Sequence, residues 1–86
     1  MIVRVDKRCE PQVGKVYIVS KWKHSAHALH GVELLLPSST KKWHGYFERY
    51  PEYGEKLGAR RVISVKEEKY DKLRVELSED LYPDHP

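Results

Sequence analysis

Three histidines at three-residue spacing, His24, His27 and His30 in "KHSAHALHG", are the residues whose type and spacing first suggest chemistry. Imidazole ligates zinc, and it is the side chain whose charge changes nearest neutral pH. A zinc site needs four protein ligands when structural, or three plus water when catalytic. On a helix, three-residue steps fan these rings over about 120°. On a strand, His24 and His30 share one face while His27 points to the other. Neither geometry converges on one ion, and the single thiol, Cys9, has no Cys-x2-Cys partner. A loop between two strands accounts for "HSAHALHG" without a metal. The expectation is no metal and no cofactor, with a metal-dependent enzyme built on the histidines as the minor alternative.

Nucleophilic catalysis fares no better. Cys9 could pair with a histidine, and Ser25 sits beside His24. By alternation, however, Cys9 falls on the face of Val3 and Val5, where a buried thiol is inert. The five glycines are scattered singly, so no loop cradles phosphate. The chain reads as a non-enzyme.

Cations interleaved with aromatics are the third pattern. Lys15, Lys21 and Lys23 alternate around Tyr17, Lys42 lies near Tyr46, and Arg60 and Arg61 are adjacent. Lysine and arginine track phosphates, and aromatic faces stack on unpaired bases. This set (Lys15, Lys21, Lys23, Lys42, Tyr46, Arg60 and Arg61) is the expected binding surface. The bland reading is that outer-face lysines only deter edge pairing, with Trp22, Trp43 and Phe47 belonging to the core.

Strands must position these residues. "MIVRVDKRC" alternates, with Val3, Val5 and Cys9 on one face and Arg4, Asp6 and Arg8 opposite. "EPQVG" turns. In "KVYIVSKWKH", Val16, Ile18 and Trp22 are assigned to the inner side and the lysines to the outer. "GVELLL" buries Val32, Leu34 and Leu36, and Pro37 stops it. Residues 43–50 could form a helix aligning Trp43, Phe47 and Tyr50, but Gly45 and the aromatics favour a strand. Pro51 and Gly58 bracket a short helix, "PEYGEKLG". A C-terminal hairpin follows, Ile63 and Val65 facing Leu73, Val75 and Leu77 across a polar connection near 68–71.

The run from Val13 to Val19, V-G-K-x-Y-x-V, set between a first strand and an aromatic "WHGYFERY", resembles small SH3-like domains of short phage-encoded proteins. The likeness covers roughly residues 2–50. It implies a strongly bent five-stranded barrel that binds through its surface, without enzyme activity.

The totals set bounds. Eighty-six residues make one small domain, burying only about 60–65% of the unfolded surface. Two tryptophans, six tyrosines and a phenylalanine exclude a disordered chain. No apolar run approaches the roughly 20 residues of a membrane span. The N-terminal strand pattern lacks a signal-peptide core, and the lone cysteine agrees with a reducing compartment, so a cytoplasmic location is expected. All 16 Lys and Arg precede Val75, against nine of the 13 carboxylates. Glu76, Glu79, Asp80 and Asp84 then stand without a base.

The sequence thus predicts a mainly β protein: a small SH3-like, partly open barrel with one short helix and a C-terminal hairpin over residues 1–77. An acidic flexible tail is expected over 78–86. The expected function is a binding module for DNA or RNA, single strands preferred. The alternative is a phage-type or mobile-element protein that binds and inhibits a host protein, anchored on Tyr46, Tyr50 and Tyr53. No membrane is involved.

Overall fold

Val3 and Val5 on the first strand are fully enclosed, and the alternation that puts them there organises the whole molecule. The structure, a computed structural model, describes residues 1–22 and 31–82. Six strands form in chain order: β1 (Ile2–Asp6), β2 (Val16–Lys21), β3 (Gly31–Leu35), β4 (Lys42–Phe47), β5 (Gly58–Glu68) and β6 (Lys72–Leu77). A 3-10 turn, Lys7–Cys9, follows β1, and the Asp6 carboxylate caps it by accepting from the Arg8 amide. All neighbouring strands are antiparallel, and they close in the order β1-β4-β3-β2-β5-β6.

The protein is therefore mainly β, a small barrel compatible with an SH3-like fold, but the barrel is closed where a partly open one was expected. Among the described residues it has six strands, not five. Closure comes from β1, which pairs with β4 on one side and with β6 on the other, from Ile2–Glu76 to Asp6–Lys72. Closing the sheet removes the unpaired edges of an open one. The eleven-residue β5 makes this possible: Gly58–Arg61 pairs with β2, and Val62–Glu68 with β6. A register shift between Val62 and Ser64 bends it between the two, as a bulge does.

The core is a shell of inward side chains: Val3, Val5, Tyr17, Val19, Val32, Leu34, Phe47, Val62, Leu73, Val75 and Leu77, with Cys9 from the 3-10 turn. The face assigned to β2 is reversed. Tyr17 is 4% exposed and Val19 is buried, while Ile18 faces outward at 40%, beside Leu35 and Ala59. Ile63 is likewise outside, because the bulge at that point hands the inward positions to Val62 and Val65.

The helix expected over 51–58 is not formed. Gly54 takes a left-handed φ of +87°, which a right-handed helix cannot continue, so the segment closes a single turn from Glu52 to Glu55. Beyond β6, Ser78 donates its amide to the Arg61 carbonyl and Tyr82 donates to Ala59, so residues 78–82 run along β5.

Candidate nucleic-acid interface

Strand β4 sets basic and aromatic side chains on the outer wall. Phe47 points inward and is buried, and Trp43 packs partly against the core. Lys42, His44 and Tyr46 alternate with them and face out. The backbone allows this placement because Gly45 sits against β1, where a Cβ would collide with the Arg4 carbonyl. That close approach sets Tyr46 directly beside Arg4.

Each outward residue of β4 is held by a neighbour. The His44 ring lies flat on Trp22, centroids 3.7 Å apart and planes within 9°. Its Nε2 is 3.1 Å from Glu33 Oε2 on β3, and Lys42 Nζ stands 3.8 Å from the other oxygen of the same carboxylate. Tyr46 has Lys72 Nζ 6.0 Å from its ring centre. Next to it, Arg4 donates from Nε to Glu68 at 2.7 Å and from Nη2 to Glu48 at 3.1 Å. Those two carboxylates, Glu68 first, raise the Arg4 pKa.

The row ends in an open cleft of about 470 Å³ between β4, β1 and the β5–β6 hairpin, lined by Tyr46, Arg4, Lys72 and the hairpin residues 67–70.

The expected surface is only partly assembled. Lys42 and Tyr46 belong to the β4 row. Lys15 and Arg61 are exposed on another flank, where Arg61 pairs with Val16 and lies over the Tyr82 ring at 5.2 Å. Lys21 shares the inward parity of Tyr17 and emerges at the barrel end, its Nζ 5.0 Å from the Tyr50 ring. Tyr17 itself is inside, and burial raises its pKa. Lys23 lies outside the described residues, as do His24, His27 and His30.

Arg60 is not a surface cation. It is 5% exposed, and its guanidinium donates to four carbonyls: Leu57 at 2.9 Å, Lys56 at 2.7 Å, Ser78 at 2.7 Å and Glu79 at 2.8 Å. It has the inward parity of Val62, so it enters the barrel end and satisfies the turn before β5 and the segment after β6. A planar five-donor group suits that task.

Four residues of this face are not singled out by the sequence pattern: Trp22, which it assigns to the core, and Arg4, Lys72 and Tyr70. The signal for Tyr70 was legible, since an aromatic inside the polar turn "EEKYDK" has no core to enter.

The remaining reactive group offers no nucleophile. Burial, then the nearby Asp6, pushes the Cys9 thiol up to about 11, so it stays protonated at neutral pH. Among the described residues no group of three or more His, Cys, Asp or Glu could hold a metal ion. No helix among them is long and apolar enough to cross a membrane. No protein-family model, curated protein or solved structure matches the chain.

Proposed function

We propose that the protein is a non-catalytic module that binds single-stranded nucleic acid along the outer face of β4. The observation that carries this reading is one row: Lys42, His44 stacked on Trp22, then Tyr46 beside Lys72. Alternate residues of a strand are about 6.7 Å apart, so cations and ring faces recur at a regular interval along an extended chain. Lysine ammonium groups neutralise phosphates, and ring faces accept any unpaired base. A duplex keeps its bases stacked and leaves the rings without partners, so single strands are preferred. Action in the cytoplasm agrees with this reading.

The test is fluorescence polarisation with labelled 12-nucleotide DNA and RNA, single-stranded and duplex, at low salt. Single strands should bind most tightly, and Lys42→Ala and Tyr46→Ala should each weaken them. If neither DNA nor RNA binds, a protein partner becomes the better reading. The observation favouring that alternative is the flank where Ile18 (40% exposed) and Ile63 (49%) accompany Lys15 and Arg61. Aliphatic groups there offer a protein more than they offer a base. A host protein bound by a phage-type inhibitor would be the partner in that case.

A further inference from the structure

Tyr70 is the most conspicuous residue that the fold does not use. It sits at the tip of the β5–β6 hairpin, 90% exposed, with a left-handed φ of +63°. Asp71 beside it is left-handed too, at +57°. Gly and Asn are the usual occupants of such turn positions, because a Cβ crowds the backbone there, and a bulky residue at positive φ is an outlier. Among the described residues Tyr70 makes no hydrogen bond, ring contact or cation–π contact. A strained, solvated aromatic adds nothing to this barrel, and such outliers cluster where a ligand is gripped.

Tyr70 lines the same open cleft as Tyr46, from the tip of the β5–β6 hairpin. Two phenol rings border a space of about 470 Å³, room for one planar base. Lys69 and Lys72 flank the rings. Two carboxylates complete the lining, and they are not equivalent. Glu68 is committed to Arg4 at 2.7 Å, whereas Glu67 is three-quarters exposed and held only by a longer, solvated ion pair to Lys7 Nζ at 3.7 Å. A carboxylate has acceptors and no donor. It pairs with an exocyclic amine and is repelled by a carbonyl at the same position.

We infer that the Tyr46–Tyr70 cleft is a subsite for one unpaired nucleobase bearing an exocyclic amine. Tyr46 and Tyr70 stack on the base, Glu67 accepts from its amine, and Lys69 and Lys72 meet the flanking phosphates. The inference rests on the strand-binding reading of β4 and names what its far end selects. Cytosine and thymine make the sharpest comparison. Both are single-ring pyrimidines, but cytosine offers an N4 amine where thymine offers the O4 acceptor.

The experiment measures affinities of 12-nucleotide oligo(dC) and oligo(dT), with cytidine monophosphate in parallel, for the full chain and for Tyr70→Gly and Glu67→Gln. Oligo(dC) should bind about tenfold more tightly than oligo(dT), within the range of a good base contact. Tyr70→Gly should lose about tenfold on oligo(dC), a typical stacking loss, while its thermal midpoint stays or rises because the left-handed strain is relieved. Glu67→Gln should keep binding and abolish the preference for dC, since an amide both donates and accepts. Cytidine monophosphate should bind far more weakly than the oligomer. Equal binding of oligo(dC) by Tyr70→Gly overturns the subsite and leaves the β4 reading standing. Equal or tighter binding of oligo(dT) overturns the amine selection. A mononucleotide as tight as the oligomer moves the cleft to a free nucleotide. No oligonucleotide binding at all removes the β4 reading itself.

Discussion

The Trp22 indole and the His44 imidazole are stacked face to face, 3.7 Å between centroids and 9° between planes, on the outside of a barrel whose core excludes both. The contact joins the end of β2 to the middle of β4. It fixes the Trp22 and His44 rings against each other in the row proposed to bind a strand. Ordering aromatic rings before binding lowers the entropy cost of association.

If that stack is a binding platform, Trp22→Leu should lower affinity for single-stranded 12-mers by about 1–3 kcal/mol, the usual worth of one base–aromatic contact. Isothermal titration with the variant checks this. An unchanged affinity with an unchanged thermal midpoint would leave the stack as mere surface packing.

Salt dependence should be shallow for a nucleic-acid binder. In the proposed complex Lys42, Lys69 and Lys72 meet the phosphates, Lys42 from its long 3.8 Å contact with Glu33, while Arg4 keeps its closer bonds to Glu48 and Glu68. Three neutralised phosphates on a single strand give a slope of log K against log salt of about −2. Lys42→Ala should reduce the slope by about 0.7. A slope near zero would remove phosphate contacts from the account.

Arg60 ties the turn before β5 to the segment after β6, at one end of the barrel. Arg60→Ala orphans the carbonyls of Lys56, Leu57, Ser78 and Glu79. The loss should be roughly 2–4 kcal/mol, because water reaches some of those oxygens once the guanidinium is gone. For a chain of this size that lowers the thermal midpoint by roughly 10–30 °C. Affinity for oligonucleotides, measured well below the midpoint, should not change. Deleting residues 78–86 should cost stability as well, since the Ser78 and Tyr82 amides and two of the Arg60 bonds go with it.

Acid sensitivity should be traceable to Asp6. The Arg8 side chain first, then its amide, holds the Asp6 carboxyl at about 2, below its ordinary 3.8. A depressed carboxylate contributes stability that is fully present above 3.8 and is lost as pH falls through about 2. Titration of the Asp6 carboxyl by NMR should give the low value. Arg8→Ala should move it up towards 3.8 and remove that part of the acid-induced loss; an unmoved carboxyl would refute the pairing.

Strand identity was readable wherever apolar and polar residues alternate strictly. Val3 and Val5 on β1, Val32 and Leu34 on β3, and Leu73, Val75 and Leu77 on β6 all point where their spacing says. Gly45 and the aromatics marked β4 as a strand for the right reason, since the glycine permits the approach of β1. Alternation could not orient β2, because Val16, Tyr17, Ile18 and Val19 are four apolar residues in succession. Only pairing with Leu34 and Gly58 puts Val19, and with it Tyr17, inside. The same is true of the cations. Arg60 and Arg61 are chemically equivalent neighbours, and one-residue parity sends the first into the barrel end and the second into water. The cleft joins Tyr46 to Tyr70, 24 positions further along the chain, because β1 lies between β4 and β6. Side-chain period is local and is written in the sequence. Which strands become neighbours depends on contacts between distant segments, and closing the barrel through β1 decided where every outward residue meets the next.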